Sequence, residues 1–196
     1  EKFIQVEPMA AKYFHPWYGA QEFIHQKPRY CLWLGDSSPA ALHQMPHCMK
    51  RIENVRNFRL ASKRISTQKM ADSPTHFQTE NMPNGDSIII PKVSSEHRRY
   101  IPMGIIGKES FASDLVFLVP NATLYHFGVL ESNVHMAWMR AVCGRLKSDY
   151  RYSKDIVYNN FPWPIPTEQQ KQKIEQTAQA ILDARALYPD SSLADL

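Results

Sequence analysis

The chain has 196 residues, of which 43% are hydrophobic, and its 23 Lys and Arg against 19 Asp and Glu give a formal net charge of +4. This composition excludes an intrinsically disordered tail and indicates a folded core. The apolar stretches are only a few residues long, which excludes a transmembrane helix.

The three cysteines, Cys31, Cys48 and Cys143, are far apart in the sequence and form no Cys-x-x-Cys motif. This pattern fits neither a disulfide framework nor a four-thiolate zinc site, and it predicts a reducing, cytoplasmic setting. Because Glu1 opens the chain without a signal-peptide pattern, we expect an excised fragment of a longer protein.

The local patterns predict an α+β fold, with a mixed or antiparallel β-meander flanked by helices and a C-terminal helical segment. Ser38 and Pro39 favour a helix start, and apolar residues at every third position from Met49 to Phe58 predict a second helix. A loop is expected over 71–86. The predicted strands cover residues 29–34, 87–93, 99–105, 114–119 and 123–129.

Two further helices are predicted after the meander. The first covers 132–147, with Val134, Trp138, Val142 and Leu146 on its buried face. The second begins near Thr167 and Gln170, which have the spacing of a capping box.

Known enzymatic motifs are missing from the sequence, including the Gly-x-Ser-x-Gly elbow and the glycine-rich nucleotide-binding loops. His43 and His47 have the spacing of helical zinc ligands, but Pro46 and the lack of further ligands argue against a metal. Residues 159–164 superficially resemble the Asn-Pro-Pro-Tyr loop that holds a flipped base. Their separated prolines favour a structural connector in which Trp163 packs.

Positive charge is concentrated in three segments. Seven cations and one anion between Met49 and Lys69 give that segment a net charge of +6. Residues 92–100 and 145–154 interleave cations with hydroxyls and aromatic rings, as is typical of surfaces that bind phosphates and bases. For each segment taken alone, a solvated protein face is the alternative.

Several of these segments, in this order along nearly the whole chain, resemble the target recognition domain and C-terminal part of large single-chain bacterial DNA methyltransferases. The similar segments are residues 14–24, 29–34, 58–64, 91–102 (PKVSSEHRRYIP), 120–127, 135–140, 144–152 and 160–164. The resemblance implies a target recognition domain over 1–129 and a C-terminal helical part, truncated here, over 130–196.

The same resemblance implies the function. In that family, which includes combined restriction-modification enzymes, the methyl donor S-adenosylmethionine and the catalytic loop belong to a domain N-terminal to this region. We therefore expect a chain without cofactor, metal or catalytic residues that recognises a DNA sequence for a parent enzyme methylating adenine. The expected partners are double-stranded DNA and the catalytic methyltransferase domain of the same polypeptide, with no membrane. Whether the parent also cleaves DNA is left open.

A DNA reader needs cations for the phosphates and bidentate or planar side chains for the base edges. The expected phosphate contacts are Arg59, Lys63, Arg64 and Lys147. The expected base contacts are Lys92, Ser94, Ser95, Glu96, Arg98, Arg99, Asn121, Thr123 and Tyr125, although Asn121 has the alternative of a turn residue and Tyr125 of a core residue. The competing function is a protein-interaction or regulatory module whose aromatic surface docks another subunit. An independent hydrolase ranks last, because no nucleophile and base can be assembled.

Overall fold

The computed structural model describes residues 2–35 and 37–195, and it contains eight α-helices and nine β-strands within them. The helices are α1 (Lys2–Val6), α2 (Ala20–Ile24), α3 (Pro39–His43), α4 (Pro46–Leu60), α5 (Ile65–Lys69), α6 (Leu124–Leu130), α7 (Asn133–Val142) and α8 (Glu168–Ala186). The strands are β1 (Phe14–Tyr18), β2 (Arg29–Leu32), β3 (Ser87–Pro91), β4 (Val93–Ser94), β5 (Gly104–Ile106), β6 (Phe111–Ala112), β7 (Val116–Pro120), β8 (Gly144–Leu146) and β9 (Asp149–Arg151). The predicted α+β class is confirmed.

The chain divides into two compact units, one formed by Glu1–Pro16 with Tyr30–Asn81 and one by Trp17–Arg29 with Met82–Leu196. They are called unit 1 and unit 2 below. This division concerns packing, whereas the boundary expected after residue 129 concerns function and stays a prediction.

Unit 1 is built around α4. Ala10, Leu34, Met45 and Cys48 form its buried core. The carboxylate of Glu7 caps α4, because its oxygens accept hydrogen bonds from the backbone N–H groups of His47 (2.9 Å) and Cys48 (2.8 Å). The buried carboxylate of Glu7 thus accepts hydrogen bonds from N–H groups in the first turn of α4 that have no acceptor within the helix.

The apolar stripe predicted for α4 does not form one buried face. Phe58 is 75% exposed, and Met49 and Val55 are exposed as well, whereas Cys48 is buried. At 3.6 residues per turn, each step of three residues moves about 60° around the helix, so four such positions cover about half its circumference. The predicted helix is confirmed, although its apolar residues do not share one buried face.

The core of unit 2 lies between a β-sheet and three helices. β3 is buried at every position and pairs in antiparallel register with β5 on one side and β7 on the other. Residues of α6, α7 and α8 pack in the same hydrophobic cluster as Ile88 and Ile90 of β3. Elsewhere in unit 2, Trp17 and Tyr18 pair in parallel with the residues of β6.

Two predicted strands are corrected. Residues 123–129 form α6, because Thr123 is its N-cap and its N–H donates to His126 Nδ1 (3.1 Å). The preceding β7 ends where Asn121 takes a left-handed backbone (φ 54°). Of the predicted strand 99–105, only Gly104 and Ile105 lie in a sheet, as part of β5. Pro102, which has no N–H for a ladder, lies just before it.

The helix predicted over 132–147 ends at Val142, because Cys143 is extended and Gly144 starts a hairpin. Its predicted apolar face is correct at Trp138 and Val142, which pack against the core, but Val134 is 70% exposed. The helix residues that are fully buried are His135, Met136 and Met139. His135 satisfies both ring nitrogens, at Leu130 O (2.9 Å) and at the Tyr152 hydroxyl (3.1 Å). A sequence pattern based on apolar residues does not predict that a histidine is buried.

Other local predictions are confirmed. Ser38 caps α3, and Thr167 and Gln170 form the capping box of α8. Trp163 packs against the core of unit 2, with its ring centroid 5.5 Å from that of Phe161. Within 2–35 and 37–195, no helix has the length and apolarity needed to cross a membrane.

Candidate nucleic-acid interface

A small sheet in unit 2 brings two of the three cationic segments together. β4 pairs with β9, with Val93 opposite Arg151 and Ser94 opposite Tyr150, and β9 pairs with β8. The strand pairing places the loop that follows β4, residues 95–99, beside the β8–β9 hairpin. Segments about fifty residues apart in sequence therefore form one surface, which is called the recognition surface below and consists of residues 92–99 and 144–151.

Polar contacts link the loop to the hairpin. The Glu96 N–H donates to Asp149 Oδ1 (3.4 Å), and Arg145 Nη1 lies 3.9 Å from Glu96 Oε2. Arg145 also donates to Ser148 O (2.8 Å), and its guanidinium lies 4.1 Å from the centroid of the Tyr150 ring. The exposed ion pair adds little stability, but together these contacts fix the direction of the loop.

Two lysines lie on the recognition surface in different settings. Lys147 is exposed at the tip of the hairpin, where its backbone is left-handed (φ 56°). Lys92 is half-buried, with its ammonium 4.6 Å from the centroid of the Phe117 ring and its carbonyl accepting from the Tyr152 N–H (2.8 Å). Lys147 is thus accessible to solvent, whereas Lys92 is partly engaged by its own unit.

The two arginines of the loop, Arg98 and Arg99, differ in their exposure and in their contacts. Arg98 is half-buried and its Nη1 donates to Leu193 O (3.0 Å). Arg99 is exposed, with its guanidinium 5.4 Å from the Tyr100 ring centroid, and its carbonyl accepts from Arg140 Nη2 (2.5 Å). Both retain N–H donors beyond these contacts, because a guanidinium carries five.

The two serines of the loop also differ. The Ser95 hydroxyl accepts from the His97 N–H (3.3 Å) and so shapes the turn. Ser94 is only 4% exposed, since β4 turns its side chain inward. Ser95 therefore presents its hydroxyl beside the exposed Glu96, and Ser94 does not.

Three other predicted base contacts lie together at the junction of β7 and α6. Asn121 forms the left-handed turn, Thr123 caps the helix, and the Tyr125 hydroxyl donates to Pro164 O (3.0 Å). No hydrogen bond or ion pair between residues that the structure describes joins this group to the recognition surface. Each of the three has a structural task in its own neighbourhood.

The remaining predicted phosphate contacts belong to unit 1. Lys63 and Arg64 are exposed between α4 and α5. Arg59 is instead engaged by the loop that follows, because its guanidinium donates to the carbonyls of Met70 (2.7 Å), Ser73 (2.8 Å) and His76 (2.6 Å). These charge-assisted bonds stabilise unit 1.

Arg145 is a residue of this surface that was not among the predicted contacts. It lies between Glu96 and Tyr150 and connects the loop to the hairpin. The signal for it was present, since Arg145 opens the cationic segment 145–154. Within the described part of the chain, no three His, Cys, Asp or Glu side chains are grouped so that they could hold a metal ion.

Comparisons with known proteins show which family the chain belongs to. The family profile described as "MmeI, target recognition domain" matches residues 1–165, and "MmeI, C-terminal domain" matches residues 166–196. DNA methyltransferase A of Bacillus subtilis (strain 168) is 40% identical over 178 residues, which cover 91% of this chain and 20% of that protein.

A solved structure extends the comparison to the fold. The structure of the Type IIL restriction-modification enzyme MmeI in complex with DNA matches 98% of this chain with a TM-score of 0.91 and 42% sequence identity. The match covers 26% of that chain, so the present chain spans about a quarter of MmeI and a fifth of the Bacillus protein. The resemblance noted in the sequence is confirmed, and the chain belongs to the MmeI target recognition domain family.

Proposed function

We propose that this chain is the DNA sequence-recognition module of an adenine-specific DNA methyltransferase, and that it positions the target duplex for a catalytic domain elsewhere in the parent polypeptide. The observation that carries the proposal is the recognition surface, which combines cations, a carboxylate and a hydroxyl on one small sheet. The similarity to MmeI, whose solved structure is a complex with DNA, supports the same function.

In this proposal the loop 95–99 reads base edges. Arg98 and Arg99 are suited to the O6 and N7 acceptors of guanine, and Glu96 is suited to an exocyclic amine of cytosine. Ser95 adds a hydroxyl that can donate or accept. Ser94 is not assigned a base contact, because its side chain is buried. Lys92 is assigned a minor role in base contact, because its ammonium already lies over the Phe117 ring.

Phosphate contact is assigned to the exposed cations. Lys147 on the hairpin, together with Lys63 and Arg64 of unit 1, would neutralise phosphates and fix the register without reading sequence. Arg59 is left out because three carbonyls already engage it. Asn121, Thr123 and Tyr125 contribute through the local structure of the β7–α6 junction and not through primary base readout.

The rest of the parent supplies the chemistry. The methyl donor S-adenosylmethionine and the catalytic loop would belong to the part of the polypeptide outside this chain, and the parent would act on DNA in the cytoplasm. The relatives support this arrangement, since the Bacillus relative is named a DNA methyltransferase and is about five times as long as the region matched.

A second function is favoured by one observation. Phe58 is 75% exposed, Ile65 is 70% exposed and Leu60 is 53% exposed on the helices of unit 1. Exposed apolar side chains mark a docking surface where they form a contiguous patch. They support the alternative of a protein-interaction or regulatory module that docks another subunit and does not itself read bases.

Selection of duplexes from a randomised pool tests the base readout. We expect Arg98→Ala to relax the preference at one base pair by roughly 1–3 kcal/mol, because a bidentate contact is lost. Lys147→Ala is the matched control, and it should weaken binding to every duplex about equally. Unchanged sequence preference in the Arg98 variant would remove that residue from the proposed base contacts.

A further inference from the structure

The C-terminal segment that follows α8 contacts the proposed base-reading loop. The carbonyl oxygen of Leu193 accepts a hydrogen bond from Arg98 Nη1 at 3.0 Å, across 95 residues of sequence. Leu193, Arg98 and the α8 residues Ile181 and Arg185 line one cleft of unit 2. The segment and the loop are therefore neighbours in the same packed unit.

A closed turn holds the Leu193 carbonyl in place. Asp195 Oδ2 accepts hydrogen bonds from both the N–H (2.8 Å) and the hydroxyl (2.6 Å) of Ser192. The Asp195 N–H donates back to Ser192 O (2.9 Å), and the Ser191 N–H donates to Tyr188 O (3.1 Å). Because these bonds are local, the turn presents the carbonyl in a defined direction.

The start of the segment is anchored in the core of unit 2. Arg185, in the last turn of α8, donates to Met103 O (2.6 Å) and pairs with the buried carboxyl of Glu131 at 3.2 Å. Its guanidinium also lies 5.6 Å from the centroid of the Phe127 ring. The segment is thus fixed by Arg185 before it reaches Arg98.

We propose that the C-terminal segment 188–195 is a positioning element for Arg98, so that a part of the chain remote from the recognition loop contributes to sequence specificity without touching DNA. This inference rests on the proposed function. A free arginine samples many rotamers, and one hydrogen bond from Nη1 limits them while leaving donors for a base. Readout groups discriminate well only when supporting contacts hold them in place.

Asp195→Ala tests the positioning, because it removes the acceptor that closes the turn but no group that faces the loop. We expect discrimination at the base pair sensed through Arg98 to fall about 3–10-fold, with affinity for unrelated duplexes kept within about twofold. Ser192→Ala, which opens the same turn from the other side, should give the same result. Asp190→Ala is the matched control, since it removes an equal charge from the same segment, outside the Ser192–Asp195 turn.

A double variant separates positioning from a general effect on the fold. Once Arg98→Ala has removed the reader, adding Asp195→Ala should lower discrimination no further, whereas independent effects would multiply. If Arg98→Ala reduces discrimination and neither turn variant does, the positioning proposal is overturned and the base readout stands. If Arg98→Ala has no effect on discrimination, both fail. Equal weakening of all duplexes by the turn variants would also overturn positioning.

Discussion

At the scale of single residues, unit 2 holds two ionisable side chains whose burial shifts their pKa values in opposite senses. Burial lowers the pKa of His135 to about 4, against the hydrogen bond to Leu130 O, which raises it. Burial raises the pKa of Glu131 to about 7, against the attraction of Arg185 and the hydrogen bonds from Arg185 and the Met103 N–H. His135 therefore stays neutral in the fold down to mildly acidic pH.

These shifts give opposite pH dependences of stability. The fold loses stability as the pH falls from 6.5, the ordinary pKa of histidine, toward 4. Over this range His135 binds a proton in the unfolded chain but stays neutral in the fold. The protonated Glu131 contributes stability below its ordinary value of 4.5, and this is lost as the pH rises through about 7. In the native chain the two effects oppose each other between pH 4.5 and 6.5.

Glu131→Gln should expose the histidine effect. Without the Glu131 titration, the unfolding free energy should rise more steeply between pH 4.5 and 7 than in the native chain, by up to about 3 kcal/mol over the range. Denaturant unfolding at pH 5 and pH 7 measures this difference. Glu53→Gln, which makes the same replacement at an exposed position of α4, is the control. Parallel pH curves for Glu131→Gln and the native chain would show that Glu131 is already ionised in the fold.

At the scale of elements, α6 and α8 pack closely at a glycine. A Cβ placed on Gly128 would lie 2.8 Å from Ile174 Cγ2 and 3.0 Å from the Ile174 carbonyl oxygen. The second neighbour is backbone and has little freedom to move, so a methyl group must push the helices apart. Arg185, in the last turn of α8, pairs with Glu131, so the position of α8 also affects the C-terminal segment that follows it.

Gly128→Ala should therefore destabilise unit 2 by about 1–3 kcal/mol through overpacking, even though alanine favours a helix. Thermal or denaturant unfolding measures the loss. Gly144→Ala is the matched control, because a Cβ there meets nothing within 4 Å. If the Gly128 variant proves as stable as the control, the two helices do not pack as closely as described.

The elements also show what a sequence can predict. The caps at Ser38 and Thr167 were found because each depends on contacts within three residues. Residues 123–129 were misassigned because apolar and aromatic side chains suit a strand as well as a helix. What decided in favour of the helix was the cap that Thr123 forms with His126.

The candidate site was predictable only in pieces. The segments 92–100 and 145–154 each stood out by composition, but the pairing of β4 with β9 that joins them is a long-range contact with no local signal. The structural role of Arg59 also depends on contacts without a local signal, because its three carbonyl partners lie 11, 14 and 17 residues away in the sequence. A cation pattern cannot distinguish an arginine that meets phosphate from one that holds a loop.

At the scale of the whole molecule, the modest net charge of +4 conceals an uneven distribution. Exposed cations lie at the junction of α4 and α5, where they are Lys63 and Arg64, and on the recognition surface of unit 2, where they include Arg99 and Lys147. A protein that meets DNA with only part of its surface needs no large total charge. DNA binding by this chain is therefore expected to depend on a specific set of exposed cations and not on overall basicity.

The salt dependence of duplex binding tests this central claim most directly. With Lys63, Arg64 and Lys147 on phosphates, the logarithm of the binding constant should fall linearly with the logarithm of salt concentration, with a slope of about −3. Lys63→Ala should reduce the magnitude of that slope by about 1 while leaving the sequence preference unchanged. A duplex affinity that is absent at low salt, or that does not change with salt, would contradict the account.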